Sequence, residues 1–419
     1  MAIKPPNIAF LALLFIIVAC SSSEYSSGAE TNDSQSIQET ISQIDSKYPY
    51  IGIPRIVIET ENGQKIKDKE TEVPAKLQVW GKDSSESDVL HLTIKGRGNT
   101  TWKYAKKPYT IKFESKESFL GMPEAKKWVL LANYRDRTLM RNSVAFELAR
   151  KTSLAWTPSG KFAELILNGK YLGNYFVCEK IEAKKNRLEL SKKSYLLEFD
   201  INYDEEYKFR TSVNDLPANI KYPNDIDDSS FDYIRDYIDS VEYSLKQDAN
   251  GTEYQKYLDQ ESFADYLIVY AMANNEEPKW PKSVYMHKDD GGKLTAGPVW
   301  DFDWATFNIK KSWFSNWNAP IFKNLNQKNA FKDVLRSRWE ADKANFEGIF
   351  SYIDSLADYI SESNQRNIKL WPINLPSGLV GDEDKTFEEA VDMLKKDIRK
   401  SIDELDTLIK DITTYSNLE

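Results

Sequence analysis

The segment GPVWDFDWATFN, residues 297–308, sets two aspartates among Trp, Phe, Val and Ala. A carboxylate with apolar neighbours is costly unless it pairs with a cation, accepts hydrogen bonds or binds a metal. Asp301 and Asp303 are therefore the first candidates for chemistry. Upstream by less than thirty residues, the stretch ANNEEPKWPKSVYMHK is rich in acid, amide and lysine and is broken by two prolines. It carries Glu277 and Ser283, and it reads as a loop.

Three further groups of residues bracket these. In KGRGNTTWKYAKKPYTIKF, Gly96 and Gly98 flank Arg97. Glycines let a backbone approach a phosphate closely, and Arg97, Lys106 and Lys107 supply positive charge. Taken alone, this stretch reads as a hairpin turn with exposed cations. In the following YTIKF the period of two puts Lys112 on the face opposite Tyr109, Ile111 and Phe113. The run WVLLANYRDRTLMRNSVAFELAR brings Asp136, Arg137 and Arg141 to a helix start, where a cap and surface ion pairs account for them. Glu179, Glu182, Glu198 and Asp200 fall at strand ends, read equally as solvated ends or as functional carboxylates.

These groups need elements to position them. From Ile53 to Phe113 short β-like runs alternate with Gly-containing turns and predict an antiparallel sheet. RTLMRNSVAFELARKT predicts a helix. KFAELILNGKYLGNYFVCEKIE predicts a hairpin turning at Asn168-Gly169, and SYLLEFD a further strand. The second half reads as helical: Ser229 or Ser230 caps a helix carrying Ile234, Ile238, Val241 and Leu245, and ESFADYLIVYAMAN makes another. KSVYMHK and KLTAGPVWDFDW form a hairpin-like pair between helices. The last helix opens on a capping box from Thr386 to Glu389 and repeats Val391, Leu394, Ile398, Ile402, Leu405 and Ile409 as a core-facing stripe. A β-rich N-terminal half and a helical C-terminal half, with a cleft between them, suit a two-lobed α+β enzyme.

Bulk properties narrow the function. A chain of 419 residues, 41% hydrophobic and 13% aromatic, can bury a sizeable core. A formal charge of -9 argues against a nucleic-acid partner. With His91 and His287 as the two histidines, His-rich zinc sites and a Ser-His-Asp triad are poorly supported. Lys4 precedes an apolar run from Ile8 to Val18, which is short for a bilayer span and suited to a signal-peptide core. Ala19 before Cys20 resembles a bacterial lipobox, in which Cys20 becomes the lipidated first residue. The polar stretch after it reads as a flexible tether. Cys178 is then the one remaining cysteine and reads as a buried strand thiol.

Together KGRGNTTW…KKPYTIKF, WVLLANYRDRTLMRNSVAFELAR, LILNGKYLGNYFVCEKIE, YLLEFD and GPVWDFDWATFN resemble, in order and over residues 50–345, the CotH kinase family, named after spore-coat protein H. The resemblance implies an atypical protein-kinase-like bilobal fold, ATP as phosphoryl donor, Mg²⁺ or Mn²⁺, and a secreted or surface protein as substrate. It assigns Asp301 to the metal-binding aspartate of the kinase Asp-Phe-Gly, with Asp303 as a further ligand. Arg97 and Lys107, with Lys112 as a substitute, would hold the phosphates, and Glu179 would order the nucleotide site. The family's catalytic-loop Asn-x-Asp is matched by Asn275 and Glu277, and its later Asn ligand falls on Ser283. Glutamate is one methylene longer than aspartate, and a serine hydroxyl is a weaker ligand than an amide. The implied organisation is a signal peptide (1–19), a tether (20–47), a CotH kinase-like domain (48–345) and a helical C-terminal extension packed on it (346–419). The protein is then expected in the cell envelope, at the outer membrane or cell surface, attached to the membrane through lipid on Cys20 only.

Two other functions fit the same residues. One is a pseudokinase-like lipoprotein that binds a protein or glycan through its Trp- and Tyr-rich surface without turnover. The other is a metal-dependent hydrolase using Asp301, Asp303 and Glu277. The plainest alternative to any cation site is that Asp301 and Asp303 pair with Arg97 or Lys107 inside the fold.

Overall fold

The computed structural model describes residues 27–82, 84, 87–303, 305–308, 316–373 and 381–412, and of residues 27–36 the backbone alone. Cys20 and the signal-like run lie outside the described residues. In chain order the elements are α1 (Ser27–Lys47), β1 (Arg55–Thr60), β2 (Val73–Trp80), β3 (Leu90–Gly96), β4 (Tyr109–Phe119), β5 (Met122–Leu131) and α2 (Arg141–Arg150). Then come β6 (Gly160–Leu167), β7 (Lys170–Glu179), β8 (Tyr195–Phe199), β9 (Lys208–Arg210), β10 (Pro217–Tyr222), α3 (Asp228–Leu245) and α4 (Gln260–Met272). The chain continues through β11 (Val284–Lys288), β12 (Leu294–Ala296), α5 (Asn329–Phe346), α6 (Ile349–Leu370) and α7 (Phe387–Lys410).

The architecture corrects the expected bilobal kinase-like fold with a helical C-terminal half. Seven strands close into a barrel in the order β1-β2-β3-β4-β5-β7-β6, and a second, five-stranded sheet runs β12-β11-β8-β10-β9. The antiparallel runs of residues 53–113 are there as β1 to β4, but they belong to a closed wall. Closure depends on β1 pairing parallel with β6, Arg55 opposite Glu164 and Ile58 opposite Leu167. The second sheet threads strands between α2 and α5, so the later part of the chain is mixed rather than helical.

Inside the barrel the alternating inward residues, among them Ile58, Leu92, Ile111, Phe113, Trp128 and Val177, make one core. Each such side chain fully withdrawn from water contributes about 1.5–3 kcal/mol. A larger core joins the outer face of the barrel wall to α2, the second sheet and α3 to α7. The stripe expected on the last helix is buried in it, from Val391 to Ile409. The Thr386–Glu389 capping box is formed. Asn168 and Gly169 take the positive φ values, 49° and 71°, of a tight hairpin turn.

Two local expectations change. Asp227, rather than Ser229 or Ser230, caps α3 by accepting the Ser230 N–H at 2.8 Å. Residues expected in the tether are helical from Ser27 to Lys47. Ile37 and Ile41 pack on Val57, Trp80, Ile166 and Tyr171 of the barrel exterior, and Asp45 holds the Arg55 guanidinium at 2.6 Å.

Candidate functional site

A cleft with a cavity volume of ≈ 470 Å³ opens where the barrel mouth meets the second sheet, within the size range of small-molecule sites. The β3–β4 connection supplies one wall, including Arg97, Gly98 and Lys106. Gly98 turns there at φ +78°, a conformation that favours glycine. The opposite wall holds Glu277, Lys282 and Ser283 together with Trp300, Asp301 and Asp303. Glu198 and Asp200 at the end of β8 and Lys221 on β10 complete the floor and rim.

The DFD segment is set by its buried neighbours. Phe302 is fully buried, while Asp301 and Asp303 on either side of it are half-buried and line the cleft. The Phe302 N–H donates to Asn142 Oδ1 at 2.9 Å. Asp301 itself sits at φ 67°, a region rare for residues other than glycine and frequent at functional sites. Asn275, behind the same wall, holds this geometry. Its Nδ2 donates to the Asp301 carbonyl at 2.9 Å and to Thr306 Oγ1 at 3.1 Å. Its Oδ1 accepts the Glu277 N–H at 2.9 Å. One amide thus links the Glu277 turn to the Asp301 turn.

The electrostatics are those of a crowded acidic centre. Burial, followed by the charge of Asp301, pushes Glu277 up to about 9. The same two causes push Asp303 up to about 8. Asp301 is raised by burial, with Arg97 opposing. Among the described residues no Arg or Lys lies within ion-pair distance of Asp301 or Asp303, so the internal ion pair with Arg97 or Lys107 is not formed. Arg97 instead stacks its guanidinium over the Trp300 ring, 5.6 Å from the centroid.

This crowding carries a pH dependence. With folded pKa values above the unfolded ones, the folded protein binds more protons than the unfolded chain between about pH 4.5 and 9. Stability should therefore fall as pH rises through that window and level off above it. The urea midpoint measured across the range checks this, and Asp303→Asn should flatten the slope.

The expected site residues divide. Arg97, Glu277, Ser283, Asp301 and Asp303 share the cleft. The Ser283 N–H donates to Asp200 Oδ2 at 3.1 Å, tying its turn to the end of β8. Lys107, Lys112 and Glu179 are not among the lining residues. Lys107 donates to the Trp102 carbonyl at 2.7 Å. Lys112 is exposed on β4, 3.6 Å from Glu72. Glu179 is buried against Arg187 at 2.6 Å and accepts the Ser159 N–H. Arg141, read as part of a surface ion pair, is instead fully buried between Asp136 and Asp382.

Sequence reasoning passed over three lysines that do line the cleft, Lys180, Lys221 and Lys282. Burial first, and then Lys127, lowers Lys180 to about 8. Its signal lay in CEKIE: where Glu179 turns to Arg187, the next residue of an extended chain takes the other face. Lys106, also in the wall, is fully buried, its ammonium donating to the carbonyls of Ala132 at 2.9 Å and Asn174, and to Asn367 Oδ1 at 2.8 Å.

Among the described residues no three His, Cys, Asp or Glu side chains are arranged to hold a metal by themselves. The donors that do converge, Asp301 and Asp303, are carboxyl oxygens crowded beside Glu277. That chemistry fits a hard cation of the Mg²⁺ type, which is bound through one or two carboxylates and completes its shell with phosphate oxygens and water.

No curated protein matches the chain. A family model described as CotH kinase protein matches residues 94–404, a span that runs from the end of β3 into α7 and takes in every wall of the cleft. The chain belongs to the CotH kinase protein family.

Proposed function

We propose that this protein is an ATP- and divalent-metal-dependent kinase that phosphorylates proteins outside the cytoplasm, held to the envelope by lipid on Cys20. The observation that carries the reading is the meeting of Arg97, Glu277, Asp301 and Asp303 in one cleft from three distant parts of the chain. When bound, a divalent cation neutralises charge on the phosphate oxygens. Asp301 and Asp303 would hold it. Arg97 and Lys180 would bind phosphate oxygens from the opposite side, where a desolvated lysine has no ion-pair partner within the described residues. With the two aspartates neutralised, Glu277 loses the part of its upward shift that comes from their charge, while burial, the larger cause, remains. Its carboxylate is the group placed to take the proton of an acceptor hydroxyl.

The test uses the full chain in detergent with labelled ATP and Mg²⁺ or Mn²⁺, reading binding and transfer to itself or to a generic protein. Lys180→Ala should weaken ATP binding by roughly 10-fold or more, the scale of one charged hydrogen bond, and leave adenosine binding unchanged. Equal loss for both ligands would remove Lys180 from the phosphate site. Metal-dependent binding without transfer would favour a pseudokinase, a reading to which Glu277 and Ser283 lend some weight. No nucleotide binding at all would reject the kinase and leave a binding role toward a protein or glycan.

The envelope location rests on the lipobox-like IVAC; among the described residues no helix is long and apolar enough to cross a membrane. Labelled palmitate should enter the protein in a bacterial host, and Cys20→Ser should abolish that incorporation.

A further inference from the structure

Two exposed apolar side chains are carried by neighbouring segments beside the cleft. Trp280 is 65% exposed and Ile201 is 52% exposed. The Ile201 N–H donates to the Pro281 carbonyl at 2.8 Å, which joins the two segments into one lip. Asp200 and Asn202 on one side of it, and Glu277, Lys282 and Ser283 on the other, line the cleft itself. The other large exposed side chains among the described residues, Tyr233, Tyr243 and Tyr359, carry hydroxyls that suit water. Trp280, whose ring has the Lys279 ammonium 5.9 Å from its centroid, and Ile201 have less polar compensation, and both sit on segments whose neighbouring residues line the cleft.

The lip is also stiff. Pro278 and Pro281 bracket Trp280, the Lys279 N–H donates to the Glu276 carbonyl at 2.9 Å, and Asn275 fixes the Glu277 N–H. A surface held in place before its partner arrives spends little ordering entropy on binding.

We propose that Trp280 and Ile201 dock the acceptor polypeptide, seating a large apolar side chain within about three residues of the hydroxyl that is phosphorylated, an inference that rests on the kinase reading above. Trp280 is three residues from Glu277, and an extended chain covers at most about 3.3–3.6 Å per residue. A hydroxyl at Glu277 and a side chain on Trp280 therefore belong to the same short acceptor segment. Ile201 has neither a stacking face nor a hydrogen-bonding group, so the pair suits an aliphatic or aromatic side chain better than a glycan. Two side chains also offer far less than the roughly 800 Å² per partner of a stable dimer.

The experiment presents the full chain in detergent with fluorescein-labelled Gly/Ala peptides, each with one central Ser and a single Leu at successive positions around it, beside the Leu-free parent. Anisotropy reads binding, and labelled ATP with Mg²⁺ reads transfer. At least one Leu position should bind on the order of tenfold more tightly than the parent. Trp280→Ala and Ile201→Ser should each remove that gain with nucleotide affinity and thermal midpoint unchanged, and raise the acceptor KM while leaving kcat alone. Equal binding of all peptides, or a gain that survives Trp280→Ala, overturns the proposal. So does a Trp280-dependent affinity for cellohexaose or a Trp280-dependent dimer in place of peptide binding. Leu- and Trp280-dependent binding without transfer keeps the docking surface and rejects the kinase. Transfer indifferent to Leu keeps the kinase and rejects the docking surface.

Discussion

Asp301→Asn should lower phosphate transfer by about 10²–10³-fold and leave the protein folded, with its urea midpoint raised at pH 8. The substitution keeps the shape of the side chain. It also keeps the backbone carbonyl that accepts from Asn275 at 2.9 Å, and asparagine is among the residues that tolerate the φ of 67° found there. Alanine would be a poorer probe, because it adds backbone strain to the loss of the carboxylate. What asparagine removes is a negative charge in a place where burial disfavours one and where it raises both Glu277 and Asp303. The free protein therefore gains stability from the change, while a cation bound as proposed would lose one of its two carboxylates. Opposite signs for activity and stability are the signature of a functional group retained against the fold's interest. Initial rates with labelled ATP and equilibrium denaturation measure the two arms. Transfer at the unaltered rate would sink the assignment of this cleft as the site. Combining the change with Glu277→Gln should cost little beyond the larger single effect, since groups that act as a unit are not additive.

The structure shows why parts of this were legible in the sequence and parts were not. Local periodicity carried the early barrel strands, the Asn168-Gly169 hairpin and α7, because each displays its pattern within a dozen or so residues. Barrel closure is different: the pairing of Arg55 with Glu164 spans more than a hundred residues and leaves no local mark. The second sheet was legible in part: SYLLEFD is β8 and the hairpin-like pair is β11 with β12. What left no local mark is the short β9 and β10 and the pairing of β8 with β10 and with β11, which joins segments distant in the chain. At the site, the acidic residues were found because a carboxylate among aromatics stands out. The cations were harder, since lysine is common at surfaces and a shift of one residue decides which face it takes. Lys180 lines the cleft beside Glu179, which does not, and Lys106 lines it beside Lys107, which does not. Composition gave no means of choosing between such neighbours.

The same cleft leans on a buried ion cluster that the sequence suggested was superficial. Arg141 is fully buried, as are its partners Asp136 and Asp382. Its Nη2 donates to Asp382 Oδ2 at 2.7 Å, its Nη1 to Asp136, and its Nε to the Thr306 carbonyl at 3.0 Å. Asp136 further accepts the Thr138 N–H at 2.9 Å and the Arg141 N–H at 2.8 Å, organising the start of α2. One guanidinium thus joins three segments: the α2 entry, the segment that carries Asp301, and the stretch before α7. Arg141→Met leaves two buried carboxylates without their cation, and breaking such a pair costs about 3–5 kcal/mol, a large part of the roughly 5–15 kcal/mol that holds a domain folded. Asp382 is raised by burial, with Arg141 holding it down, so the variant should take up a proton there and recover part of the loss at acid pH. Arg141→Met with Asp382→Asn should be more stable than Arg141→Met alone, because one of the stranded charges is gone. A urea midpoint within about 1 kcal/mol of the parent, the scale of a surface pair, would show that the cluster is not the tie described. A large loss would mean that Asp301 is placed by a contact to Thr306, five residues along the chain, and that the C-terminal segment belongs to the architecture of the site.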